Sequence, residues 1–173
     1  AQIGKSFRNE ITPRNFTFRS REFSQMEMEF FCSDEESMEW FKYWRAARME
    51  YYKKCLGFRE DELQYHDHDK LAHYAKAAVD IEFKFPFGWG ELEGIHHRGT
   101  WDLSRHQEFS QQNLEYLDMR TNKKYLPTCV ETSVGLDRTF LAVLSHAYDE
   151  DKAPTQKEGM EEDVRIVLHI TPR

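Results

Sequence analysis

The chain has 173 residues, a formal net charge of −7 at pH 7, and apolar and aromatic fractions of 39% and 14%. That is enough for one domain with a sizeable core. The acidic balance, with a pI of about 5.6, excludes general electrostatic adhesion to nucleic acid but leaves room for a local basic groove. Cys32, Cys55 and Cys129 are far apart and form no C-x-x-C pair, which suits a reducing cytoplasmic compartment. No run is apolar enough to span a membrane and no signal peptide is visible, so no membrane partner is expected. Both ends read as cut strands, so the chain is expected to be a piece of a longer protein.

The first informative stretch is Phe7-Arg8-Asn9-Glu10-Ile11-Thr12-Pro13-Arg14, followed by Phe18-Arg19-Ser20-Arg21-Glu22-Phe23. It alternates as a strand does, breaks at Pro13 and alternates again. It reads as a hairpin with guanidinium groups and carboxylates on one face. Such a face is costly unless a charged ligand lies on it, and a guanidinium fork matches a phosphate, so a nucleotide is the first candidate. Residues 16–31 read as two strands around a tight turn. Unbroken alternation puts Arg19, Arg21, Glu27 and Glu29 on one side, with Phe16, Phe18, Met26 and Met28 packing on a core.

Ser33-Asp34-Glu35-Glu36 reads as a capping box. It opens a helix on which Phe41, Trp44, Ala47, Tyr51 and Cys55 recur at helical spacing, stopped by Gly57. Residues 59–69 read as loop. Leu71, Tyr74, Ala75 and Ala78 read as one stripe of a second helix, which runs into a strand over 81–85, halted at Pro86-Phe87-Gly88. Residues 89–98 read as a strand with Glu91 and Glu93 on the same side. Residues 114–119 and 125–131 read as a hairpin around Thr121-Asn122-Lys123. Ser133 is expected to cap a helix carrying Phe140, Leu141, Leu144, Ala147 and Tyr148. Residues 149–163, acidic and containing Pro154 and Gly159, read as a mobile loop, and Val164, Ile166, Leu168 and Ile170 as a closing strand. The sum is an α+β fold, an antiparallel sheet with helices gathered to one side.

Several motifs admit a functional and a plain reading. Arg8, Arg19, Arg21 and Arg138 suit phosphates, or surface pairing with Glu10, Glu22 and Asp137. In Glu131-Thr132-Ser133-Val134-Gly135-Leu136-Asp137-Arg138 a carboxylate ends a strand, a glycine lets a ligand approach, and a helix start that favours anions carries Arg138. The plain alternative is a strand-to-helix connection. Trp89-Gly90-Glu91-Leu92-Glu93-Gly94-Ile95 offers two carboxylates for a cation or an amine, or is a bulged edge strand. His66, His68, His96, His97 and His106 lack the spacing of a zinc site and read as solvated or core. Trp40, Phe41, Tyr43 and Trp44 read as helix packing, and the cysteines as buried thiols.

Taken together these stretches resemble the α2-type glycyl-tRNA synthetases, a family of class II aminoacyl-tRNA synthetases. Phe7-Arg8-Asn9-Glu10 through Glu29 resembles class II motif 2, residues 87–95 the family's glycine- and ATP-site strand, and Glu131 to Arg138 motif 3. The similarity extends over almost the whole chain, including His73-Tyr74-Ala75-Lys76-Ala77-Ala78. It implies a class II synthetase-like antiparallel β-sheet of about six or seven strands flanked by helices. It divides residues 1–173 into motif 2 (about 3–31), a helical insertion (about 33–80), the active-site strand (about 81–98), motif 3 (about 125–148) and the acidic loop. Motif 1 and an anticodon-binding domain are expected to lie outside the chain.

By the same resemblance, ATP is expected to meet Arg8, Asn9 and Glu10, then Phe18, Arg19, Ser20, Arg21, Glu22 and Phe23, then Glu91 and Leu92, and finally Gly135, Leu136, Asp137 and Arg138. Arg8 would meet the α-phosphate, Arg138 the γ-phosphate, and Phe23 the adenine; Arg8 and Arg138 are the expected catalytic pair. Glycine is expected among Phe23, Ser24, Gln25, Met26 and Glu27, with Arg98 and with Glu131, Thr132, Ser133, Val134 and Gly135. Glu91 is the expected Mg²⁺ ligand. Thr132 stands where the family usually has proline, which is expected to loosen a turn there. The implied activity is ATP-dependent activation of glycine to glycyl-adenylate and transfer to tRNA(Gly), by a homodimeric cytoplasmic enzyme. The alternative is an ATP- and glycine-binding fragment or paralogue without turnover.

Overall fold

The computed structural model describes residues 1–68, 71, 75–153 and 163–170. In chain order they form β1 (Gln2–Phe7), β2 (Glu22–Cys32), α1 (Ser37–Lys54), β3 (Leu63–Asp67), β4 (Ala77–Phe85), β5 (Gly88–Gly99), α2 (Trp101–Ser110), β6 (Tyr116–Asp118), β7 (Lys123–Tyr125), β8 (Thr128–Gly135), α3 (Leu136–Ala147), β9 (Tyr148–Ala153) and β10 (Asp163–Leu168). Six strands make one antiparallel sheet in the order β1-β2-β8-β5-β4-β3, and β6-β7 and β9-β10 are separate two-stranded ribbons. This is the expected α+β class. No described helix is long and apolar enough to cross a membrane.

One face of the sheet is the core. Val79, Ile81 and Phe83 of β4, Ile95 of β5 and Val130 of β8 meet Tyr52 of α1, Phe58 beyond it and Ala142 of α3. Trp40 and Trp44 of α1 lie against Phe30 of β2, with ring centroids 4.5 and 5.7 Å apart. Burial of rings this size drives α1 onto the sheet. His97 is also buried here, its Nε2 2.9 Å from Ser37 Oγ. Gly57, at φ +76°, takes the left-handed turn that ends the α1 segment. The opposite face of the sheet stays open and carries the cavity described below.

β1 and β2 do pair as a hairpin, Phe7 opposite Glu22 and Gln2 opposite Glu27, but the arms expected over 7–14 and 18–23 lie mostly in the connection between them, where Arg14 and Arg19 form an isolated bridge, and residues 16–31 are not two strands. Asn15 and Phe16 have positive φ, residues Phe16–Phe18 form a 3-10 turn, and β2 then runs unbroken because it must pair with both β1 and β8. Side parity therefore does not carry across the turn. Within β2 it holds, with Phe30 toward α1 and Phe23, Gln25 and Glu27 toward the open face.

Other expectations give way to tertiary pairing. Among the described residues Ser33 caps no backbone group; its Oγ lies 3.4 Å from Glu36 Oε2, and α1 starts at Ser37, whose hydroxyl donates to the Asp34 carbonyl at 2.6 Å. Residues 63–67 are the edge strand β3, a half-buried alternation anchored by Leu63 and by Tyr65, whose hydroxyl donates to the Arg45 carbonyl. Ala77 and Ala78 open β4 opposite His97 and His96, so there is no helix there. Ladder bonds and the Val79-Ile81-Phe83-Phe85 alternation override the helical preference of alanine. Tyr74 of that stripe lies outside the described residues.

The 114–131 hairpin shrinks to β6 and β7, since Thr128 already belongs to the buried strand β8. Ser133 sits within β8 rather than capping α3. Thr132 is likewise mid-strand, paired with Met28 and Ile95, so no turn exists there to loosen. β5 is central, not an edge. Tyr148 leaves the expected helix to open β9, and residues 149–153 pair with β10 instead of forming loop, while residues 154–162 of the acidic segment lie outside the described residues. Cys55 is exposed, unlike Cys32 and Cys129.

Candidate active site

A cavity of about 310 Å³ opens on the uncovered face of the sheet. Strand register sets its layout. Gln25 lies opposite Gly135, Glu27 opposite Ser133, and Ser133 opposite Gly94; one step further, Glu131 lies opposite His96. β2, β8 and β5 thus present alternate side chains in rows, with the segment 8–20 and the start of α3 closing one end.

At that end the groups are cationic and aromatic. The Arg8 guanidinium lies 5.2 Å from the Phe23 ring centroid. Arg138 donates through Nε to the Phe18 carbonyl at 3.0 Å and through Nη1 to the Glu91 carbonyl at 3.0 Å, with Nη1 3.2 Å from Glu91 Oε2. Its guanidinium stacks 4.3 Å from the Phe18 centroid. Asp137 accepts the backbone N–H of Ser24 at 2.6 Å, which fixes α3 to β2. Gly90 is required here, because a Cβ would fall 2.8 Å from the Phe18 ring. Arg19 Nε is buried without a hydrogen-bond partner among the described residues, 4.0 Å separating its Nη1 from Glu10 Oε2. A buried guanidinium N–H left unpaired is the donor an anionic ligand would satisfy.

The other end is a hydrogen-bonded set of carboxylates. Ser6 Oγ donates to Gln25 Oε1 at 2.8 Å, Gln25 Nε2 donates to Ser133 Oγ at 2.5 Å, and Ser133 Oγ donates to Glu27 Oε1 at 3.3 Å. Glu131 is held by Arg98 Nη1 at 2.8 Å, with His96 Nδ1 close by at 3.3 Å but outside hydrogen-bond geometry, and Asp102 braces Arg98 at 2.7 Å. Burial alone would raise the Glu131 pKa. The His96 contact and the Arg98 charge outweigh it and hold the carboxyl below the usual glutamate range. A Cβ on Gly94 would sit 2.5 Å from His96 Cε1, so glycine is what lets the imidazole lie over the strand toward Glu131.

Glu91 and Glu93 do not share a face. Ile81 pairs with Glu93 but Glu82 pairs with Glu91, leaving Leu92 as the extra residue of a β-bulge. Glu91 therefore lines the cavity, while Glu93 is fully buried on the core face with Arg48 and Tyr52.

The cavity brings together most of the residues expected from the sequence. Arg8, Glu10, Phe18, Arg19, Ser20 and Phe23 line it from the first hairpin; Gln25 and Glu27 from β2; Glu91, Leu92 and Arg98 from β5; and Glu131, Ser133, Gly135, Asp137 and Arg138 from β8 and α3. Glu22, Ser24, Met26, Thr132 and Val134 are placed elsewhere, because they alternate with the lining residues along β2 and β8 and point to the other face. Asn9 and Leu136 are exposed outside it, and Arg21 turns back to donate to the Glu10 carbonyl. Thr17, Gly94 and His96 line the cavity without having been expected. The signal for His96 and Gly94 was their i, i+2 spacing with Arg98.

Among the described residues no group of three or more His, Cys, Asp or Glu side chains converges as metal ligands do.

A six-stranded antiparallel sheet carrying arginines and carboxylates on its open face is the arrangement of a class II synthetase core. The chain matches the family described as tRNA synthetase class II core domain (G, H, P, S and T) over residues 1–147, and it belongs to that family. It is 55% identical over 173 residues to a glycine–tRNA ligase of Agathobacter rectalis, covering 99% of this chain and 36% of that relative. It is 51% identical to the glycine–tRNA ligases of Geobacillus kaustophilus and Bacillus anthracis, with the same coverage. The chain thus spans about a third of the length of the curated relatives it matches.

Proposed function

We propose that this chain is the catalytic core of a glycine–tRNA ligase of the homodimeric type. The observation that carries the reading is the gathering of Arg8, Arg19, Arg98 and Arg138 with Glu27, Glu91 and Glu131 around one cavity. The glycine carboxylate attacks the α-phosphorus of ATP, the bond to the α,β-bridging oxygen breaks, and glycyl-adenylate and pyrophosphate form. A ribose hydroxyl of tRNA(Gly) then attacks the adenylate carbonyl and AMP leaves. Neither step needs a protein nucleophile; both need alignment and stabilisation of phosphate charge.

The roles are those that the resemblance to class II motifs 2 and 3 implies. Arg8, Arg19 and Arg138 hold the triphosphate, Arg8 at the α-phosphate and Arg138 at the γ-phosphate. Phe23 and Phe18 provide the aromatic surface for adenine. Glu27, Glu131 and Ser133 bind the glycine ammonium, and Arg98 helps set the carboxylate ends. For the site to reject alanine, the walls formed by Gln25, His96 and the two carboxylates must leave an added methyl only a strained place. Strain is needed, since a merely roomy pocket would separate alanine from glycine by only about 1–3 kcal/mol.

Mg²⁺ suits the site in one form. Glu91 is a single rim carboxylate, and Mg²⁺ commonly takes one or two carboxylates plus substrate phosphates. Glu91 would hold it together with the nucleotide, where it supplies charge neutralisation. In the whole protein tRNA(Gly) is the second substrate and the cytoplasm the compartment. Glycine-dependent exchange of pyrophosphate into ATP tests the proposal.

A further inference from the structure

Glu93 is the most deeply buried charged side chain described, at 0% exposure, and it lies on the face away from the cavity. Its Oε1 accepts from Arg48 Nε at 2.6 Å and its Oε2 accepts from the Tyr52 hydroxyl at 2.8 Å. Arg48 and Tyr52 are four residues apart on α1 and so share one helix face. The Arg48 guanidinium also lies 4.5 Å from the Tyr51 ring centroid, which fixes its direction. Every polar atom of the Glu93 carboxylate therefore has a partner on one rigid helix. Glu93 is also the residue at which the β5 register changes, with Leu92 the inserted residue and Glu91 next before it.

We propose that the Arg48–Glu93–Tyr52 cluster is a positioning device for the cavity on the opposite face: it pins β5 at its bulge and so holds Glu91 toward Arg138. A strand shifted by one residue sends every side chain to the other face. Leu92 belongs to the same buried cluster as Ile81, Phe85 and Ile95, and apolar contacts, being non-directional, fix a register less sharply than a paired charge does. A buried carboxylate has a single place where a guanidinium and a phenol both reach it. Leaving that place strands a charge in the core, and fixing register is the best-attested role of such buried ionic groups. α1 thereby transmits its own packing to the nucleotide end of the site. Arg48 and Glu93 touch no substrate and act through Glu91. The inference rests on the proposed function for its substrate, but not for its structural claim.

The test compares wild type with Glu93→Gln and with the double variant R48M/E93M, which removes the cluster without stranding a charge. Amide hydrogen exchange of the protein alone is expected to speed up about tenfold or more at residues 90–93 in both variants, with residues 129–134 of β8 within about twofold. In pyrophosphate exchange the ATP KM is expected to rise about tenfold with the glycine KM within about twofold, and adding Glu91→Gln is expected to cost little more, as for residues acting as a unit. Unchanged protection at residues 90–93, or protection lost equally along β5 and β8, overturns the positioning role. So does an equal rise in both KM values. Amide exchange needs no activity, so a wild type without pyrophosphate exchange overturns the proposed function while the amides still decide this inference.

Discussion

Arg138 in the first turn of α3 and Glu91 at the bulge of β5 meet across the open face of the sheet, Nη1 3.2 Å from Oε2. The same guanidinium bonds the carbonyls of Phe18 and Glu91 and stacks on the Phe18 ring. One cation thus ties the first hairpin, β5 and α3 together at the place where the triphosphate is proposed to lie. A lysine cannot reproduce that fork. Arg138→Lys and Arg138→Ala are both expected to lower the rate of pyrophosphate exchange about 100-fold or more, the scale of losing a positioned donor. Steady-state kinetics on the two variants check this; full activity in Arg138→Lys would show that charge alone suffices.

Gly94 is expected to be a specificity position. A Cβ there would meet His96 Cε1 at 2.5 Å, so Gly94→Ala displaces the imidazole that contacts Glu131. The glycine KM is expected to rise about tenfold or more while the ATP KM stays within about twofold, a loss confined to one end of the cavity. Equal changes in both constants would point to general damage instead.

How much of this was legible in the sequence depended on whether a signal was local. The alternation of β1, β2 and β4 is visible because each strand face is written in consecutive residues; the α1 stripe is only partly so, since Phe41 is buried as expected but the core face runs on through Met49 and Tyr52 and leaves Cys55 exposed. The arginines and carboxylates of the cavity were visible as motifs. What failed was set by partners distant in the chain. Ala77 and Ala78 look helical alone, yet pair with His97 and His96. Ser133 looks like a cap, yet lies in β8 between Glu27 and Gly94. Glu91 and Glu93 look like a pair, and only the Leu92 bulge, fixed from the far face, separates them. α2, from Trp101 to Ser110, carries few apolar residues in a regular stripe and so gives no helix signal of its own.

The thiols give a test of burial. Burial first, then nearby carboxylates, push Cys32 up to about 11 and Cys129 up to about 12, while Cys55 is exposed. The thiolate is the reacting species, so at pH 8 an aromatic disulfide reagent is expected to modify Cys55 rapidly and the other two only on unfolding. Fast labelling of Cys129 in the native protein would contradict the placement of β8 in the core.

Acid should act through Glu131. Its carboxyl titrates below the usual glutamate range in the folded chain, so as pH falls the unfolded chain takes up this proton first. The stabilisation is complete above the ordinary glutamate pKa and is lost as pH drops through the lowered folded value. Denaturant melts between about pH 6 and 3 are expected to show a shallower loss of stability in Glu131→Gln than in wild type. Parallel pH profiles would show that the Arg98 ion pair and the His96 contact do not set the Glu131 titration.

The measurement that bears most directly on the central claim is exchange of labelled pyrophosphate into ATP with glycine, with alanine and with no amino acid. Label is expected in ATP only with glycine, and Arg8→Ala is expected to cut it about 100-fold or more. Exchange that proceeds equally without glycine, or that survives Arg8→Ala, would contradict the assignment of this cavity as the site where glycine is activated.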